Sequence, residues 1–311
     1  MFVEIRKRGK DKKFYLVHPY RSGKKVFKIT RYLGLNLTES QIKEKNKKAG
    51  QHILEQLKLS KEIRDPLKFI LSPQELDQIK NLEEKIHFKV THLSKDQWRR
   101  FSELFSYNTN AIEGSTLTLR EVTNLVEKDK IPDKNPLDVE EVKGVVQAMD
   151  YIRKTKTHIS FALLKKLHKI VFANSKSFAG RFREKGVEVV IRDGIGNVVH
   201  RGAPSEKVEE LLQELIDWYR KNKNHYPGIL LAAVIHNQFE NIHPFQDGNG
   251  RVGRLLLNNI LLKHNMPPVD IEYVNRQEYY QSLQEYENKG NIRPTIDLII
   301  KEYNKLDKRL R

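Results

Sequence analysis

Residues 242–257 restrict the fold more than any other stretch: Ile242-His243-Pro244-Phe245-Gln246-Asp247-Gly248-Asn249-Gly250-Arg251-Val252-Gly253-Arg254, then the apolar Leu255-Leu256-Leu257. The run Leu231 to Ile242 predicts a buried helix, and Pro244 ends it because the residue before a proline is pushed out of the helical region. His243 therefore falls at a helix-to-loop break. Asp247-Gly248-Asn249-Gly250 can turn through positive φ and leave successive N–H groups aimed at one spot, with a second helix expected from about Arg251 to His264. The start of that helix suits an anion. Asp247 can hold Mg²⁺, a hard cation that takes a carboxylate together with phosphate oxygens. Arg251 and Arg254, three residues apart, share a helix face and can grip outer phosphates. Gly-Asn-Gly alone is usually a turn, and an arginine pair on a helix is usually a solvated face. Two mutually repelling cations in first turns that the macrodipole already makes unfavourable for them, however, imply a bound anion.

The segment resembles the signature of the Fic family, H-x-F-x-[D/E]-G-N-G-R-x-x-R, at every fixed position: His243, Phe245, Asp247, Gly248, Asn249, Gly250, Arg251 and Arg254. A match this dense is far more specific than a lone glycine motif. The resemblance implies transfer of AMP from ATP to a Tyr, Ser or Thr hydroxyl of a target protein, with ATP as substrate and Mg²⁺, or Mn²⁺ in its place, as the metal. It implies His243 as general base and Asp247 as metal ligand. Asn249 and the Gly248 and Gly250 amides would form an anion cradle with Arg251, and Arg254 would meet the γ-phosphate. Phe245 reads as packing that fixes the loop. An imidazole suits the task because it accepts a proton near neutrality, while positioning and charge do the rest in phosphoryl chemistry.

Upstream, Thr109-Asn110-Ala111-Ile112-Glu113-Gly114 resembles the family's inhibitory motif, [S/T]-x-x-x-E-[G/N]. The resemblance implies that Glu113 pairs with Arg254 and takes the place of the γ-phosphate. The bland alternative is a loop ahead of the next helix, whose start is marked by the capping-box spacing Thr118-Leu119-Arg120-Glu121. Between the motifs, two β-rich runs around Arg192-Asp193-Gly194-Ile195-Gly196-Asn197 read as a hairpin. In the family a flap here pairs with an extended target segment, which implies docking along Val187, Val189 and Val190; a small surface hairpin is the alternative. Tyr280 and Asn288 resemble the residues that border the adenine, where a tyrosine can stack and an asparagine can satisfy the base edge. Without the motif, helical tyrosines are core residues.

Ser72-Pro73-Gln74-Glu75 and Ser94-Lys95-Asp96-Gln97 look like capped helix starts, and amphipathic runs cover about 138–155, 160–173, 205–222 and 294–308. The expected fold is mainly α: a Fic-like helical bundle with a β-hairpin flap, plus a small basic N-terminal β-hairpin/helix module. The expected domains are 1–60 and 61–311, the latter with an inhibitory segment at about 106–116. His236, Glu240 and His243 can face together, but no His-Glu-x-x-His is present and Pro244 breaks the helix, which argues against zinc.

The first fifty residues hold 15 Lys and Arg against 4 Asp and Glu, a large part of the whole-chain charge of +17. Phe14-Tyr15-Leu16-Val17-His18 and Lys25-Val26-Phe27-Lys28-Ile29-Thr30 read as hairpin strands followed by a basic helix. Such a module can track the phosphates of nucleic acid, dock an acidic protein, or be a solvated surface. No apolar run approaches the roughly 20 residues that span a bilayer. The absence of cysteine fits a reducing compartment. The expectation is a cytoplasmic protein with no membrane partner, with self-association open. Two further readings stay open: a phosphodiesterase that removes AMP with Glu113 positioning water, and a non-enzymatic, nucleic-acid-binding regulator.

Overall fold

A computed structural model of the protein describes residues 1–9, 11–22, 25–62, 66, 71–85, 93–192 and 198–310. Three strands open the chain: β1 (Phe2–Arg8), β2 (Asp11–Ser22) and β3 (Lys25–Leu35), antiparallel in the order β1-β2-β3. The predicted hairpin is β2 and β3; β1 was not anticipated, because Phe2–Arg8 alternates charged residues with only a few apolar ones. Register pairs Val3 with Leu16 and Ile5 with Phe14, so that one sheet face is apolar. On that face lies α1 (Glu39–Glu62), which brings Ile53 against Phe14, Leu16, Ile29 and Leu33 in a core of its own.

The rest is helical: α2 (Pro73–Lys85), α3 (Lys95–Ile112), α4 (Leu119–Lys128), α5 (Pro136–Lys154), α6 (Phe161–Phe172), α7 (Val208–Asn222), α8 (Gly228–Ile242), α9 (Asn249–Lys263), α10 (Arg276–Lys289) and α11 (Arg293–Leu310). The helix starts follow the sequence signals. Ser94 accepts from the Gln97 N–H while the Gln97 side chain accepts from the Ser94 N–H, and Thr118 and Glu121 form the same reciprocal box; each such cap is worth about 1 kcal/mol. The central layer is α8 packed on α9. Every residue of α8 is buried: its first half is apolar on all sides, and in its polar second half Asn237 reaches Thr295 and Gln238 reaches Tyr286. Gly144 lets α5 meet α6 closely, since a Cβ there would lie 2.4 Å from the Val171 carbonyl.

Between α6 and α7 stands a two-stranded hairpin, β4 (Val190–Arg192) with β5 (Val198–Arg201), antiparallel. Its connecting turn, residues 193–197, lies outside the described residues. Among the described residues, no helix is long and apolar enough to cross a membrane.

Candidate active site

The site is built where α8 stops. His243 caps α8 in the left-handed region, φ 52°, a conformation that costs a non-glycine residue about 1–2 kcal/mol and turns its ring away from the helix path. Arg183 holds this break. Its Nε donates to the His243 carbonyl at 2.8 Å, and its amino groups reach the carbonyls of Val187 and Ala203. His243 is buried, and its Nδ1 lies 3.2 Å from the Glu240 carbonyl. A carbonyl only accepts, so Nδ1 carries the proton and the Nε2 lone pair is left free. Burial, reinforced by His200, pushes the imidazole down to about 3, so the ring is neutral at physiological pH.

The next residues form a cup at the start of α9, where helix geometry leaves main-chain N–H groups without intrahelical partners. Gly248 turns at φ 79°, and a side chain there would strike the Phe172 ring 2.3 Å away. Phe245 is fully buried and stacked on His168 with centroids 4.0 Å apart. Asn249 departs from its expected role: its amide oxygen accepts from the Phe245 N–H at 2.8 Å and its amide nitrogen donates to the Phe245 carbonyl at 2.9 Å. This side chain staples the loop, leaving the cup to main-chain amides at the start of α9. His168 completes the frame. Its Nδ1 accepts from the Gly180 N–H at 2.8 Å, so its Nε2 donates to the Asp247 carbonyl at 3.1 Å.

Over the cup sits Glu113. Its carboxylate receives Arg254 Nη2 at 2.7 Å, and a Cβ on Gly250 would fall 2.2 Å from its Oε1. The same guanidinium donates to the Thr109 hydroxyl at 2.7 Å and the Thr109 carbonyl at 3.0 Å, while Nη1 reaches the Tyr279 hydroxyl at 3.2 Å. Both ends of the upstream motif therefore close on Arg254, which is buried while the Glu113 side chain stays 30% exposed.

The two signature arginines diverge where the sequence suggested a joint grip. Arg251 turns to Glu141 of α5 in a buried ion pair and lies over the Phe172 ring at 4.6 Å. Its Nε is buried with no partner among the described residues. Lys176 contacts both acids of this corner, 3.5 Å from Glu141 and 2.8 Å from Asp247. For Asp247, burial would raise the carboxyl, but Lys176, Arg251 and the Gly248 amide together hold it below the usual range. Glu113, Glu141, Lys176, Asp247 and Arg251 line one cavity of about 260 Å³. Among the described residues, no group of three acidic or histidine side chains converges as a metal cage. A single ionised carboxylate opening on a cavity is nevertheless the donor set that Mg²⁺ uses when phosphate and water supply the remaining oxygens.

Residues 158–261 match the Fic/DOC family. The chain carries a Fic domain. It is similar to a protein adenylyltransferase Fic of Nematostella vectensis, 33% identical over 239 residues that cover 74% of this chain and 54% of that protein. With protein adenylyltransferase fic-1 of Caenorhabditis elegans it is 34% identical over 208 residues, 64% of this chain and 39% of the other. The chain thus spans about half the length, or less, of these curated relatives. A solved structure of Fic-1 from C. elegans superimposes with a TM-score of 0.63 at 29% identity, over 76% of this chain and 70% of that one. A Fic-domain signaling protein from Bacteroides thetaiotaomicron shares the fold, with a TM-score of 0.65 at 21% identity over 76% and 94% of the two chains.

Around the Fic domain's histidine the flap is present but shorter than read. Val190 pairs within β4, Val189 accepts from the Gly202 N–H at 3.1 Å, and Val187 precedes the ladder, its carbonyl held by Arg183. Tyr280 lies beside Tyr279, with centroids 5.6 Å apart, and donates to the Ile112 carbonyl at 3.0 Å, one residue from Glu113. Asn288, two helical turns further along α10, is exposed. His200 and Glu141 carry no signal in the sequence, and Glu240 figures there only beside His236 and His243 as a discounted zinc site. His200 of β5 lies beside His243, centroids 5.1 Å apart and rings tilted by 47°, and binds Glu287 of α10 at 2.9 Å, linking flap to helix. Glu240 is driven up to about 8 by burial, against the pull of Arg254, and is neutral at pH 7. Glu141, one of four acids in a helix that reads as an ordinary amphipath, gave no signal of its partner.

Proposed function

We propose that the chain transfers AMP from ATP to a hydroxyl of a target protein and that Glu113 restrains it. The observation that carries this reading is the free Nε2 of His243 beside the amide-lined start of α9, inside the complete family signature. The target oxygen attacks the α-phosphorus, its proton passes to His243 Nε2, and the bond to the oxygen bridging the β-phosphate breaks to release pyrophosphate. The charge developing on the phosphates is met by the α9 amides and by Arg254 once Glu113 withdraws. Asp247 would hold Mg²⁺, which neutralises phosphate charge when bound; Lys176 would then have to leave that carboxylate. Tyr280 and Asn288 would border the adenine, and Val187, Val189 and Val190 would register the target segment by main-chain pairing.

Glu113 blocks by occupying both the partner and the place of the outermost phosphate. The likeness to adenylyltransferases at 33–34% identity supports the same reading. A second reading rests on Glu113 itself. With one oxygen on Arg254 and the side chain partly open to solvent, it is placed to orient a water for removal of AMP from a modified side chain.

Incubation with α-labelled ATP and Mg²⁺ tests the main reading on three proteins: the native chain, Glu113→Gly, and Glu113→Gly/His243→Ala. Label is expected on protein with the first variant, about tenfold or more above the native chain, and lost with the second. Equal label on all three would reject the mechanism.

A further inference from the structure

The N-terminal sheet has two unlike faces, and among the described residues only one packs on other elements. Alternation along antiparallel strands sends Val3, Phe14 and Leu16 toward α1. Farther along the same face, Arg31 pairs with Glu188 beneath the flap at 3.2 Å, and the Tyr20 ring lies 5.1 Å from the Lys207 ammonium. The opposite face carries Phe2, Arg6, Lys13, Tyr15, Lys28 and Tyr32 around a buried Val17. Register places Tyr15 between Glu4 on β1 and Tyr32 on β3, with Arg6 beside Lys13 one step along. Tyr15 and Tyr32 stand with ring centroids 5.3 Å apart, and the Arg6 guanidinium, which also meets Glu4, lies over Tyr15 at 4.4 Å. Tyr32 is 56% exposed and Phe2 47%. Neighbouring aromatic rings partly open to solvent, set among cations, are the kind of exposed patch that marks an interaction surface. The sheet residues, 1–35, include eleven Lys and Arg against two acidic residues.

We infer that this face binds single-stranded nucleic acid. Unstacked bases present flat π-surfaces that fit exposed tyrosine and phenylalanine rings, and the phosphates between them meet lysine and arginine at the spacing of a sheet. An acidic peptide would use the cations and leave the aromatics unexplained. A duplex hides its base faces, so it too would engage the charge alone. The face lies on the far side of the sheet from the contacts with the flap and Lys207, so binding there is compatible with AMP transfer and does not depend on it.

The test uses the full chain and a fluorescent single-stranded oligonucleotide of roughly 20 nucleotides, followed by anisotropy. With about four phosphates neutralised, affinity should fall roughly 50-fold between about 50 and 200 mM salt. Tyr32→Ala should weaken binding about tenfold, and Lys13→Glu/Lys28→Glu should flatten the salt dependence. Both variants change side chains outside the helical core, and unchanged thermal unfolding checks that they fold. Absence of salt-sensitive binding overturns the inference, as does equal or tighter binding of duplex or of polyglutamate. Unchanged affinity in Tyr32→Ala does the same. None of these outcomes bears on label transfer from ATP, which fails or succeeds separately.

Discussion

Arg251 and Arg6 each meet a carboxylate, but under opposite conditions. Arg251 and Glu141 are both nearly out of solvent, between α9 and α5, whereas Arg6 and Glu4 lie on the open face of the N-terminal sheet. Water screens the second pair and leaves it worth about 0–1 kcal/mol. The first pair has lost its hydration, so each partner depends on the other. The same division runs through the whole molecule. The α8–α9 layer holds His236, Glu240, His243, Arg251 and Arg254 inside an apolar body, where a charge or lone pair is strong and direction-specific. The N-terminal sheet spreads its charge over the surface, where it acts collectively and at long range. Fixed chemistry needs the first arrangement, and capture of an extended polyanion needs the second.

Breaking each pair from one side tests the contrast most severely. Glu141→Ala leaves buried Arg251 with only the more distant Asp247, 3.9 Å away, as counter-charge, with an expected loss of about 3 kcal/mol in denaturant unfolding; a loss below that of an exposed pair would contradict the buried reading. His243→Ala, placed in the Glu113→Gly background, is expected to cut label transfer by about 10³-fold with little change in unfolding, because the ring makes only one local hydrogen bond.

Acid sharpens the contrast next. Burial pushes His168 and His264 down to about 4 and His236 and His243 to about 3, whereas an unfolded histidine takes a proton near 6.5. The unfolded chain therefore binds more protons below that value, so stability is complete above about pH 6.5 and falls as pH drops toward 4. Each group contributes at most about 1.4 kcal/mol per unit. Melting curves at pH 7 and pH 5 should separate accordingly; a flat profile would mean that these rings are solvated. The smallest effect is expected for Arg6→Ala, under about 1 kcal/mol in the same unfolding measurement.

Much of the site could be read from residue order because its parts are local. Pro244 stops α8, Gly248 supplies the positive φ, and Asn249 reaches back four residues to Phe245. Capping boxes at Ser94 and Thr118 are equally local. The pairing of Glu113 with Arg254 spans 141 positions, and it was legible only through a motif resemblance. No such pattern marked Glu141, His168 or the His200 to Glu287 link, and β1 gives little signal because Phe2–Arg8 has only three apolar residues among its charged ones.

The sequence by itself determined where helices begin and end and how the loop after His243 bends. These follow from backbone sterics and from hydrogen bonds between residues a few positions apart. Tertiary structure alone decided that Arg251 turns to α5 while Arg254 turns to Glu113. Such choices depend on which dehydrated partner lies within reach, and for long side chains in a packed interior that is set by segments a hundred or more residues away.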